Sequence, residues 1–87
     1  MYEVHTSVMA QQFLNKLDKH IKDRIENRLK RLEENPIPTD SKFINRDEQG
    51  DKIFRYRIGD YRALYKVKDQ EKIVLIAKID KRPRIYD

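Results

Sequence analysis

Arg55, Arg57 and Arg62 sit close together in FRYRIGDYRALYKV (residues 54–67), and Lys81, Arg82 and Arg84 crowd around Tyr86 in the closing KRPRIYD (residues 81–87). Guanidinium groups grip phosphate oxygens through paired hydrogen bonds and stay protonated at neutral pH, so they stabilise phosphate charge but do not remove protons. Whether they act together depends on register. If Gly59-Asp60 forms a two-residue turn, Ile58 pairs with Tyr61, Arg57 with Arg62 and Arg55 with Leu64. Alternation then places Arg55, Arg57 and Arg62 on one face, and Phe54, Tyr56, Ile58, Tyr61, Ala63 and Tyr65 on the other. Opposed arginines repel, where an opposite-charge pair would contribute roughly 0.2–1 kcal/mol, so folding does not ask for them. A polyanion does. The plainer reading is a solvated face, or one neutralised by Asp60, Asp80 or a helix carboxylate.

The tail extends this argument. A chain turning back over the sheet edge after the last strand would bring Arg82 and Tyr86 to the arginine face, with Pro83 holding Arg82 extended or in a turn. Tyr86 would add a ring that stacks on a base and a hydroxyl that exchanges a proton. On spacing alone, a terminal aromatic covering the core is the stronger reading of Tyr86.

These residues need a sheet, and the sequence supplies one behind a helical layer. Tyr2 to His5 reads as a short strand, after which Thr6 or Ser7 offers a helix-capping oxygen. Phe13, Leu14, Leu17, Ile21, Ile25, Leu29 and Leu32 recur at threes and fours, an amphipathic stripe that ends at Asn35-Pro36. A break at Asp18 to His20, with Asp18 capping a second helix, makes this a helical hairpin in preference to one long helix. Asn35 to Ser41 is a linker, Lys42 to Asn45 a short strand and Arg46 to Asp51 a polar turn. Lys52 to Ile58, Tyr61 to Val67 and Lys72 to Ile79 follow as an antiparallel meander. VLIA, residues 74–77, is apolar on both faces and is expected to be a central strand covered by helices on at least one side. The expected fold is α+β, with an N-terminal strand and helical hairpin packed on a meander sheet.

With 87 residues the chain has room for one domain, residues 1–87. Twenty Lys and Arg against fifteen Asp and Glu give a net charge of +5, which suits an anionic partner such as nucleic acid, although solubility accounts for it equally well. Cysteine is absent, which excludes disulfides, cysteine-ligated zinc and thiol catalysis. The opening MYEVHTS lacks the apolar core of a secretory signal, and no apolar run approaches the roughly 20 residues of a membrane span. A soluble, cytoplasmic protein that does not contact membrane is expected.

Together, these residues resemble the RelE/ParE superfamily of toxin–antitoxin toxins, and within it the archaeal and bacterial RelE type. FRYRIGDYRALYKV is similar to the family's "YRIRVGDYRI" segment, and DKRPRIYD (residues 80–87) to its terminal "HRKxIY" segment. The resemblance spans nearly the whole chain. It implies a type II toxin that cleaves messenger RNA in the ribosomal A site, inhibits translation and is held dormant by an acidic RelB-like antitoxin. The complex could reach operator DNA through that antitoxin. Arg62 matches the arginine of "GDYR", Arg82 that of "HR" and Tyr86 the terminal tyrosine, while Lys81 stands where the family has histidine. ParE relatives, which poison gyrase, share the scaffold but generally lack the full basic and tyrosine set.

RNA cleavage requires deprotonation of a 2′-hydroxyl, in-line attack on the adjacent phosphorus and protonation of the leaving oxygen. His5 and His20 read as surface or packing residues, and Asp47, Glu48 and Asp51 as solvated turn residues, so no cofactor or metal is expected. The resemblance therefore implies Arg57, Arg62, Arg82 and Tyr86 as the catalytic set, with Tyr86 the candidate base. Lys52, Arg55, Lys81 and Arg84 would bind RNA, Lys81 being a second candidate for proton transfer. Lys19, Lys22, Arg24, Arg28, Lys30 and Arg31 could grip ribosomal RNA, but for most of them a solvated helix face, with i to i+4 pairs such as Glu26 with Lys30, is the better reading. Three further readings stay open. They are a ParE-like topoisomerase inhibitor, an inactive homologue that only holds its antitoxin, and a basic module that binds RNA without cutting.

Overall fold

The computed structural model describes residues 1–81 of the chain. Strand β1 (Glu3–Thr6) is followed by helices α1 (Val8–Asn15) and α2 (Lys19–Lys30), and a 3₁₀ turn over Arg31–Glu33 closes the helical layer. Strands β2 (Ser41–Arg46), β3 (Lys52–Ile58), β4 (Tyr61–Lys68) and β5 (Ile73–Lys81) complete the chain order. They form a five-stranded sheet in the order β1-β5-β4-β3-β2. The fold is thus α+β, as the periodicity predicts.

The helical hairpin breaks at the expected place. Ser7 caps α1, its hydroxyl accepting from the Ala10 amide at 3.1 Å. Asp18 occupies the N-cap position of α2, but through its carbonyl, which accepts from the amides of Ile21 and Lys22, and not through its side chain. Ala10 and Leu14 of α1, Ile25 and Leu29 of α2 and Leu32 are buried, while Phe13, Leu17 and Ile21 pack partly buried at the margin. Both helices lie on one face of the sheet. Phe54, Tyr56, Ile58, Tyr61, Ala63, Tyr65, Val67, Val74, Ile76 and Ile79 fill that face. Aromatic rings bridge the strands there: Phe54 stacks on Tyr65 at 5.5 Å, and Tyr56 meets Tyr65 edge-on at 6.2 Å.

Two features lie beyond the pattern of hydrophobic residues. First, β1 returns to pair in parallel with β5, Val4 opposite Val74 and Thr6 opposite Ile76. A parallel pair needs a long crossover, and here everything between the two strands supplies it. The run VLIA is accordingly central, flanked by β1 and β4. Second, the β4–β5 ladder slips between Leu64, opposite Lys78, and Tyr65, opposite Ile76. Ala77 is the extra residue of this bulge. The Ser7 hydroxyl donates to its carbonyl at 2.7 Å, while the Ser7 amide donates to the Ile76 carbonyl at 2.9 Å. Past a bulge, inward and outward positions exchange. Ile76 and Ile79 therefore both point into the core, and Asp80 turns to the face opposite the helices.

Candidate functional site

Gly59 and Asp60 join β3 to β4, and Gly59 has φ +59°, the left-handed sign that turns of this length favour. The turn sets the predicted register: Ile58 opposite Tyr61, Arg57 opposite Arg62 and Arg55 opposite Leu64. Because cross-strand partners share a face, Arg55, Arg57 and Arg62 all lie on the side away from the helices. They are not equivalent. Arg57 is exposed and Arg55 half-buried, whereas Arg62 is only 5% exposed.

Reading outward along the rungs adds residues that the sequence analysis left out. Lys42 pairs with Arg55, and beyond Leu64 comes Lys78, so one rung runs Lys42, Arg55, Leu64, Lys78. The next rung runs Arg57, Arg62, Asp80. Lys42 and Lys78 are both exposed. Period-two alternation from Arg55 shows Lys42 on this face once the β2–β3 register is known. The bulge conceals Lys78.

The same face changes character away from the turn. Lys66 donates to Asp47 at 2.7 Å and Lys68 to Asp51 at 2.9 Å, all four side chains being mostly shielded from solvent. Asp47 also accepts from the amides of Gln49 and Asp51. The Lys66 ammonium, aided by those amides, holds the Asp47 carboxyl below its usual range, and hydrogen bonding to Asp51 raises the Lys68 ammonium. Asp47 and Asp51 are therefore structural ion-pair partners, a correction to their reading as solvated turn residues. The cations at this end face acids, while Lys42, Arg55, Arg57, Arg62 and Lys78 stand toward Gly59 with Asp80 among them.

The remaining expected site residues divide as follows. Lys52 pairs with Val67 and shares the parity of Phe54 and Tyr56, so it lies on the helix-bearing side and is not brought to the arginines. Lys81 pairs with Tyr61, also on the helix-bearing side, because the bulge at Ala77 has exchanged the alternation. Without that bulge Ile79 would stand opposite Arg62, where Asp80 does, and Lys81 would turn to the arginine face. Arg82, Arg84 and Tyr86 lie outside the described residues. His5 is exposed beside Glu3 at 3.0 Å on β1, which neighbours β5 and is remote in strand order from β3. Among the described residues, no group of histidine and acidic side chains could hold a metal ion. Of the α2 cations, Lys19 pairs with Asp23 at 2.8 Å and Arg28 with Asp40 at 2.7 Å.

Comparison with known proteins gives this architecture a class. A family model described as the ParE toxin of type II toxin–antitoxin system, parDE, matches residues 4–86. A Methanocaldococcus jannaschii protein assigned as toxin RelE1 is 35% identical over 75 residues, covering 78% of this chain and 83% of its own. A chain of the archaeal RelE–RelB complex from Pyrococcus horikoshii superposes with a TM-score of 0.83 at 28% identity, covering 97% of this chain and 98% of that one. One from the toxin–antitoxin complex RelBE2 of Mycobacterium tuberculosis does so with a TM-score of 0.76 at 29% identity, covering 93% and 98%. The shared scaffold is that of small α+β toxins. This chain belongs to the RelE/ParE superfamily, as a RelE-like toxin of a type II toxin–antitoxin system.

Proposed function

We propose that this toxin is a ribosome-dependent endoribonuclease that cuts messenger RNA in the A site and so stops translation. The observation that carries the proposal is the Arg57–Arg62 rung, two guanidinium groups in direct opposition on the face that also bears Lys42, Arg55 and Lys78. Opposed guanidinium groups repel, and Asp80, opposite Arg62 on β5, sets one carboxylate against the two cations of that rung, with Arg57 the exposed one. The 2′-hydroxyl attacks the adjacent phosphorus in line, the bond to the 5′-oxygen breaks, and a 2′,3′-cyclic phosphate is left behind. Positioned cationic donors stabilise charge on the phosphorane, each worth roughly 3–4 kcal/mol by analogy with oxyanion sites. Arg57 is suited to contact the phosphate and the buried Arg62 to set the field behind it. Tyr86 is proposed as the base that takes the 2′-hydroxyl proton, with Arg82 steadying the leaving 5′-oxygen as it takes a proton from solvent water.

A site without conventional acid–base pairs depends on alignment of the strand, which the ribosome would supply. A cytoplasmic location and an acidic RelB-like antitoxin go with this reading, since the P. horikoshii relative is seen in complex with RelB. A second reading has an observation of its own, because the matching family model is that of ParE. It predicts inhibition of DNA supercoiling with messages left intact. Primer extension on a translated message, run beside a topoisomerase supercoiling assay, separates the two.

A further inference from the structure

Helix α2 carries a basic row, Arg24 and Arg28, one turn apart and beside the apolar stripe of Ile21, Ile25 and Leu29. Such residues suggest a grip on RNA, but these two face the β3–β4 hairpin. The Arg28 Nη2 donates to Asp40 Oδ2 at 2.7 Å and to the backbone carbonyl of Arg57 at 3.3 Å. Its Nε donates to the Tyr56 hydroxyl at 3.3 Å, and its guanidinium carbon stands 5.1 Å from the centre of the Tyr56 ring. Arg24 reaches the next turn of backbone: a Cβ built on Gly59 would lie 3.2 Å from Arg24 Nη2.

We propose that Arg28, oriented by Asp40, is a positioning residue that fixes the backbone of Arg57 from the helix side of the sheet. The proposal rests on the cleavage reading above, in which Arg57 meets the phosphate. A guanidinium has the planar fork needed to serve Asp40, Tyr56 and the Arg57 carbonyl at once, whereas an ammonium is a point charge without that fork. Lysine at position 28 therefore keeps the charge and loses the brace. A phosphate-gripping residue would behave in the opposite way.

The test compares Arg28→Ala, Arg28→Lys, Arg57→Ala and the Arg28→Ala/Arg57→Ala pair in single-turnover cleavage of message on programmed ribosomes. Amide hydrogen exchange of the free proteins provides a readout independent of activity. Arg28→Ala and Arg28→Lys are each expected to slow cleavage at saturating ribosomes about tenfold, with the half-saturating concentration unchanged. The double variant is expected to be no slower than Arg57→Ala. Amides of residues 57–62 should exchange about tenfold faster in Arg28→Ala while those of Lys66 to Lys68 keep their rates. Recovery of the rate by lysine, additive losses in the double variant, or exchange that is unchanged or uniformly faster across the sheet would each overturn the proposal. If the parent does not cut messages, the cleavage reading fails separately, and the exchange comparison still decides whether Arg28 holds the hairpin.

Discussion

Arg57 and Arg62 share a rung but differ in exposure, one being exposed and the other 5% accessible, and the cleavage reading therefore gives them different roles. Arg57→Ala is expected to lower the cleavage rate by roughly 10²–10³-fold, the loss seen when a transition-state donor is removed. It should leave the thermal midpoint nearly unchanged, since its side chain is solvated. Arg62→Ala should reduce both, so paired melting and single-turnover measurements distinguish the two roles. Tyr65 is the other residue whose environment makes a prediction. It is fully buried, its hydroxyl donates to the Pro36 carbonyl at 2.7 Å, and burial pushes its pKa from 10.0 up to about 12. Folding therefore favours the neutral phenol. The stabilisation is complete below pH 10 and is lost as pH rises through about 12. Thermal midpoints taken at pH 9 and pH 11 should fall more steeply in the parent than in Tyr65→Phe.

Among the elements, the β3–β4 hairpin was legible and the end of β5 was not. A two-residue turn at Gly59-Asp60 leaves one sensible register, so Arg57 against Arg62 follows from local sequence. Lys52 is the opposite case: expected among the RNA-binding residues, it shares parity with Phe54, and alternation alone assigns it to the helix-bearing side. The Ala77 bulge is a different matter. It is pinned by Ser7, whose hydrogen bonds come from a distant part of the sequence and only through the parallel return of β1. No window around KIDK carries that signal; an unbulged strand would set Ile79 opposite Arg62 and turn Lys81 to the arginine face. Ser7 caps α1 and pins the bulge with the same hydroxyl. Ser7→Ala is expected to cost about 1–2 kcal/mol, measured by denaturant unfolding, a figure that combines cap loss with a carbonyl left wanting a donor. A cost indistinguishable from zero would mean that the bulge is held by the core alone.

At the scale of the whole molecule, one face of the sheet builds stability and the other distributes charge. Helices, aromatic rings and the Ile79 turn-in close the first. On the second, Lys66 and Lys68 are matched by Asp47 and Asp51 at one end, and the basic rungs collect at the other. This polarity explains why net charge alone was a weak guide: composition counts cations without telling where on the sheet they stand. It also explains how a chain with few buried polar groups in its core can carry a site, since the sheet needs only one face to fold. In the function proposed above, the basic face acts on messenger RNA held by the ribosome. Primer extension on a defined message, incubated with purified protein in the presence and absence of translating ribosomes, tests it most directly. Strand ends are expected inside codons only when ribosomes are translating, and are expected to be lost in Arg57→Ala. Intact message under translation, together with inhibited DNA supercoiling, would contradict it.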